Sequence, residues 1–588
     1  MNGLRFRTKT RRAFLLLGLV ALLTLPSPAH SARTMPASGR PGAGLGAHYI
    51  VFRQRQDGSI LPLYHDRVSV AGLTPLSDPQ LAAAVAKPGR DRQPLVVFLR
   101  SAAGQTLFQS VVEVSRWLRG EFSDDGGPMD GHILPIDEPI FVVRVPALAR
   151  ATLVLVAWDE EGPSRPVAFD LDRLAATTPA FDLGTYALSA AEGDPANRFD
   201  LLVMGDGYTA AQQPDFEADA QQVASQFFSI TPLAEYANYA NVHTLFTASS
   251  ESGADHPPYD PGCGGDDPSC CSDPLMQSDP LRGTFVDTAF DGRYCSWQIH
   301  RLLVTDEAKV LAAAGAVPDW DSILVLVNDA TYGGSGGLIA TVAMHPLAVQ
   351  IAQHELGHSF AGLADEYESA YPGFPPCSDI YGPACEPNVT DVTVREQIKW
   401  SPWIEPTTPI PTPEQTAWDG YVGLFEGARY LSTGMYRSGL SCIMRALGEP
   451  FCQVPAQTYV LKLYQGGWGV PEEGISLIEP GTTYPGGPVT LFHPAQQTFG
   501  AGILQPAGGP PAGITWLVNG VLVPGENGPA FTYVTQGDQL GPVEITLVVR
   551  DATSLVHPAV AGDALVSTFT WAVEVHSRLF VPLALRSN

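Results

Sequence analysis

The sequence predicts a multidomain α+β protein, with an α/β middle part between an N-terminal β-sandwich and a C-terminal Ig-like β domain. Three observations predict this. At ~100–200 residues per domain, 588 residues are enough for several cores. Gly (58) and Pro (52) are abundant, which suits short strands punctuated by turns. Strand-like runs fill both ends of the chain, and strand alternates with helix only between them.

The elements follow in chain order. Arg5, Arg7, Lys9, Arg11 and Arg12 form a basic start, and Ala13–Leu25 is an apolar run. That run is shorter than the ~20 residues of a membrane span. With Ala29 and Ser31 spaced for signal peptidase, residues 1–31 read as an export signal. Thr10 to Leu15 also resembles a twin-arginine signal, so the expected place is secreted or extracytoplasmic in a bacterium, by the Sec or twin-arginine route. No later stretch is apolar enough to span a membrane. Loss of five positive charges with the signal takes the net charge from −27 to −32. That excess excludes nucleic acid as a partner, because phosphate binding needs clustered Lys and Arg. At 45% hydrophobic, the chain is too apolar for a disordered protein.

A Gly/Pro/Ala-rich linker covers residues 32–46, and an N-terminal β-sandwich is expected over 47–190. Its strands are read at Tyr49–Phe52, Ile60–Val70, Leu95–Leu99, Leu107–Val114, Ile140–Val145, Leu153–Trp158 and Val167–Leu171. In the middle part, 191–470, Phe199–Met204, Val242–Phe246 and Ile323–Val327 read as buried strands, and Ala210–Phe228 as a helix. The C-terminal β domain, 471–588, has strands at Val489–Phe492, Ile514–Val518, Val521–Val523, Val543–Val549 and Phe569–Val575. Asn519-Gly520 between two of them is a hairpin turn, since both positions need φ > 0.

Eight Cys, all in the middle part, suggest disulfides in an oxidising compartment. The local pairs 377–385 and 442–452 are the simplest. Asp255, Asp260, Asp266, Asp267 and Asp273 lie among Cys263, Cys270 and Cys271 and offer oxygen ligands for Ca2+; a solvated, disulfide-tied loop is the plainer reading. Asn388-Val389-Thr390 fits a glycosylation sequon, which a bacterial source would leave unused.

One motif carries chemistry: His354-Glu355-Leu356-Gly357-His358, in a helix read from Pro346 to Leu363. Residues four apart share a helix face, so both imidazoles can bind one Zn2+ ion. Glu355, beside the first of them, can act on a water. The bland reading is a pair of core histidines and a surface acid. A third ligand is needed. Asp365 lies seven residues after His358, past a break at Gly362; Glu366 and Glu368 have similar claims. Tyr332 to Gly337 is a glycine-rich stretch ahead of the helix, where a substrate backbone could add to an exposed strand edge. Cys442-Ile443-Met444-Arg445 resembles the methionine turn beneath the metal of metzincins.

Five segments together resemble the IgA-peptidase family of secreted zinc metallopeptidases: Met204-Gly205-Asp206-Gly207-Tyr208, Ser252 to Pro257, Tyr332 to Gly337, His354 to Tyr367 and Cys442 to Arg445. The resemblance spans about residues 192–470. It implies a zincin-like catalytic domain, with His354 and His358 as zinc ligands and Glu355 as catalytic acid/base. The general metzincin spacing would put the third ligand at Ala364, which cannot bind metal; the family's pattern has Asp one residue later, at Asp365. The expected activity is hydrolysis of a protein or peptide substrate, with Tyr436 either a donor to the oxyanion or a structural residue. The rival expectation is a secreted, surface-associated binding protein whose zinc site is structural or inactive.

Overall fold

The computed structural model describes residues 45–578, apart from 74, 87–91, 124–128, 160–161, 175–192, 370–373, 375, 467–473 and 538. The expected signal, residues 1–31, and the expected junctions at 190/191 and 470/471 lie outside the described residues.

The N-terminal part begins with β1 (Leu45–Gln54) and β2 (Ile60–Val70), then α1 (Asp78–Ala86). β3 (Arg92–Arg100) and β4 (Thr106–Ser115) follow, then a hairpin of β5 (Trp117–Ser123) and β6 (Met129–Pro135). β7 (Ile140–Pro146), β8 (Thr152–Asp159), β9 (Gly162–Pro163) and β10 (Val167–Asp170) complete it. One sheet has the order β2-β1-β7 and a second β10-β8-β3-β4. They share a core of Ile50, Phe52, Val97, Phe141, Val143 and Leu155, contributed by alternate residues of each strand. The hairpin belongs to neither sheet.

The middle part is built on β11 (Phe199–Asp206), β12 (Ala240–Leu245), β13 (Ser322–Val327), β14 (Gly334–Ser335) and β15 (Ile339–Ala343), in the order β12-β11-β13-β15-β14. The first four in that order are parallel and β14 is an antiparallel edge. Every residue of β11 is buried, as a strand covered on both faces requires. Leu201, Val203, Leu324 and Leu326 face α2 (Gln213–Phe227) and α4 (Ala348–Ser359). Leu202, Met204, Ile323 and Val325 face α3 (Glu307–Ala314) and residues of β1 and β2. Tyr49 of β1 donates its hydroxyl to the Leu311 carbonyl at 2.7 Å, so the N-terminal part is bonded to the central one.

A small sheet of β16 (Val389–Thr390), β18 (Leu431–Arg437) and β17 (Phe425–Ala428) follows, then α5 (Gln453–Gln465). The C-terminal part has a sheet of β19 (Val489–His493), β25 (Val566–Ser577), β24 (Gly541–Arg550), β21 (Gly513–Val518) and β22 (Val521–Leu522). β20 (Gln496–Gly500) pairs with β23 (Ala530–Val534), and Trp516, Phe531 and Trp571 pack between the two groups. Asn519 and Gly520 have φ of 51° and 76°, the hairpin turn their sequence calls for.

Candidate metal centre

Helix α4 carries His354, Glu355 and His358, all buried. Its sequence fits the position. Gly357 lies against Met444, whose Sδ would be 2.5 Å from an added Cβ, so no larger residue fits the helix there. Gly362, at φ +65°, turns the chain back after the helix. Asn388 then fixes the returning segment: its Oδ1 accepts from the Ala364 amide at 2.8 Å, and its Nδ2 donates to the Ala364 carbonyl at 2.8 Å. Asn388 is buried and held by these bonds, so it cannot serve as a glycosylation acceptor.

This turn brings Asp365 to the two imidazoles. His354 Nε2 and His358 Nε2 are 3.0 Å apart, and Asp365 Oδ1 is 3.3 Å from each. The other ring nitrogens fix the tautomers. His354 Nδ1–H donates to the Ile443 carbonyl at 2.8 Å and His358 Nδ1–H to the Leu363 carbonyl at 2.7 Å. A neutral ring so tied has only a lone pair on Nε2. Two lone pairs and a carboxylate oxygen therefore converge, which requires protons or a cation between them. The separations exceed the ~2.7–2.9 Å of a charge-assisted hydrogen bond. The two separations from Asp365 match the edge of about 3.3 Å of a tetrahedron with ligand bonds of ~2.0–2.1 Å, and that between the imidazoles is slightly shorter. Burial alone would raise the Asp365 carboxyl; positive charge at His358 and His354 holds it well below the usual range, and a cation between the neutral rings acts in the same direction.

Glu366 points elsewhere. It accepts from Asn388 Nδ2 at 2.9 Å and lies by Cys452, and burial pushes its pKa up to about 7. Glu368 lies at 3.5 Å from Arg445. Of the three acids, only Asp365 reaches the imidazoles. Glu355 lies under the edge strand: a Cβ on Gly336 would be 1.6 Å from its Oε2.

Three expectations need correction. Tyr436 packs with Trp400, Leu424 and Val454, and it stands opposite Glu426 in the pairing of β17 with β18. Adjacent strand residues point to opposite faces, and it is Met435 that meets Ala364. The tyrosine at the centre is Tyr430, which donates to Asp365 Oδ2. Arg429 and Tyr430 are a two-residue turn joining β17 to β18 with φ of 53° and 64°, a costly conformation for such residues. Arg429 offsets it by pairing with Glu386 at 2.8 and 3.0 Å and lying over the Phe374 ring.

Second, the glycine-rich edge is not exposed. Gly333, Gly334, Ser335 and Gly336 are buried. The outward groups of Gly334 bond to Arg301 and Leu303, and those of Gly336 to Arg119 of β5 at 2.8 and 3.0 Å. Third, the acidic cluster does not converge on a calcium site among the described residues. Asp260, Asp267 and Asp273 accept from amides two residues on, Asp255 from the Val286 amide, and Asp266 pairs with Arg293 at 2.6 Å. Disulfides join Cys263 to Cys270, Cys271 to Cys295 and Cys377 to Cys385. Cys442 and Cys452, the other expected local pair, are not bonded in this structure, although their sulfur atoms lie 2.7 Å apart, inside non-bonded contact.

Residues 188–263 and 270–419 match the family model of IgA peptidase M64. No curated protein matches the chain. Among solved structures, a putative β-galactosidase from Bacteroides fragilis is 9% identical, with 91% of this chain and 87% of that one covered, at a TM-score of 0.12. A β-glucuronidase from Parabacteroides merdae is 8% identical, with 84% and 61% covered, at a TM-score of 0.13. At such scores neither likeness bears on fold or function.

Proposed function

We propose that this chain, whose residues 188–263 and 270–419 match the family model of IgA peptidase M64, is a secreted zinc-dependent endopeptidase, acting on extracellular proteins through a zincin-like catalytic part. The observation that carries this reading is the convergence of two tautomer-locked imidazoles and one carboxylate oxygen at 3.0–3.3 Å. His354, His358 and Asp365 would hold the ion. Bound there, zinc supplies Lewis-acid polarisation of a water and of the scissile carbonyl. Glu355 takes the proton as the water oxygen attacks the carbonyl carbon. It then gives that proton to the amine nitrogen as the C–N bond breaks. Export is supported by the basic and apolar N-terminal sequence and by three disulfides. No helix among the described residues is long and apolar enough to cross a membrane.

A surface-associated binding protein with a structural zinc site is the second reading. Structural zinc takes four protein ligands, whereas the group here has three among the described residues. Casein and immunoglobulin cleavage, with zinc analysis beside it, separates the two. Glu355→Gln should keep its zinc and lose activity by roughly 10²–10⁴-fold, and a chelator should abolish wild-type activity. Full turnover by zinc-loaded Glu355→Gln would rule out its role. Bound zinc with no cleavage across a peptide library would favour the binder.

A further inference from the structure

The β5–β6 hairpin lies outside the residues that match the peptidase family, yet it reaches the metal centre. Three contacts seat it. Arg119 exchanges both backbone hydrogen bonds with Gly336, directly above Glu355. Gly131 of β6 lies on Tyr367, whose hydroxyl oxygen would be 1.7 Å from a Cβ at that position. Ile133 is fully buried in the same core as Leu356 and Met444. So placed, β5 makes one antiparallel bridge just beyond β14, at Arg119 and Gly336, and the Arg119 side chain turns inward. Its Nη1 is 3.3 Å from Asp365 Oδ2, both groups being buried. Tyr430 donates to that same oxygen.

The two carboxylate oxygens of Asp365 thus have separate duties. Oδ2 is tied by a guanidinium and a phenol, while Oδ1 faces the imidazoles. A carboxylate held by one oxygen cannot rotate freely, so the orientation of the other is set before any ion arrives.

We propose that Arg119 is a positioning residue of the metal centre, brought by the β5–β6 hairpin to fix Asp365 Oδ2 together with Tyr430. The inference rests on the zinc reading above. Its test uses the full chain stripped of metal, titrated with zinc against a chromophoric chelator, and loaded with cobalt(II) for its visible spectrum. Arg119→Ala should weaken zinc binding by about 10–100-fold and shift the cobalt bands, while the metal-free protein melts as wild type does. Arg119→Lys, which keeps the charge, should recover most of the affinity. Tyr430→Phe removes one oxygen and should move affinity and spectrum the same way; it carries the test if Arg119→Ala does not fold. Wild-type affinity and an unchanged cobalt spectrum in Tyr430→Phe and in any folded Arg119→Ala overturn the proposal and leave the zinc reading standing. A wild-type protein that binds no zinc overturns both.

Discussion

Among the described glycines, Gly336 leaves the least room for a side chain. Its Cα faces the Glu355 carboxylate so closely that a methyl group would lie 1.6 Å from Oε2. Neither neighbour can yield easily, because Gly336 is bonded through both backbone groups to Arg119 and Glu355 sits on a buried helix. Gly336→Ala should displace the carboxylate by the order of 1 Å and lower kcat/KM on the order of 10²-fold. Zinc content should stay at the wild-type value. A fully active Gly336→Ala would show that Glu355 has freedom to move which this packing denies it. The same residue explains why the glycine stretch could be found in the sequence but misread. Glycine marks a close approach, and the sequence does not say whose atom approaches. Here it is the carboxylate of the next helix on one side and β5 on the other.

At the scale of elements, the segment from Ser249 to Arg301 has almost no regular structure and is held by polar contacts instead. His256 is central to it. Its Nδ1 is 2.8 Å from Asp279 and its Nε2 3.1 Å from Asp329, just beyond β13, while Tyr294 stacks on the ring at 4.4 Å. Burial alone would lower the His256 pKa, but the two carboxylates outweigh it and raise the value above 6.5. Burial likewise works to raise Asp279 and Asp329, and the bonds from the histidines bring both below 3.8. The signs follow from linkage. The His256 contribution is complete below pH 6.5 and is lost as pH rises through its higher folded value. The aspartate contributions are complete above 3.8 and are lost as pH falls through their lower folded values. The melting-temperature gap between wild type and His256→Asn should therefore be largest in mildly acidic solution and narrow at alkaline pH. A gap that does not change with pH would mean that folding does not raise the His256 pKa.

At the scale of the whole molecule, the centre is assembled from Arg119, the 354–365 segment and Tyr430. The partners of Asp365 Oδ2 are 246 and 65 residues away in sequence. A fragment of residues 191–470 would lack the hairpin and would bare core residues that Ile133 covers and that the β1–β2 sheet packs against. It should be less soluble and melt without a cooperative transition, as followed by circular dichroism and calorimetry. A cooperative, zinc-binding fragment would show that the N-terminal β part is only attached to the centre.

Much of the fold was legible because periodicity reports local conformation. Strands such as Ile60–Val70 and Ile323–Val327, and the helix around His354, lie within a few residues of their sequence reading. The β5–β6 hairpin escaped because Trp117-Leu118-Arg119-Gly120 and Met129-Asp130-Gly131-His132 break alternation with charges and glycines. β20 and β23 also went unread. The sequence by itself determined that two imidazoles four residues apart share one helix face with an acid beside the first, because helical pitch fixes that spacing. It also brought the third position down to three neighbouring acids. Only the tertiary structure decided that Asp365 closes the triangle, that Tyr430 and not Tyr436 attends it, and that Arg119 completes its bonding. Those choices depend on where distant strands meet, and side-chain direction across such a contact is set by register and turn geometry, which local sequence does not encode.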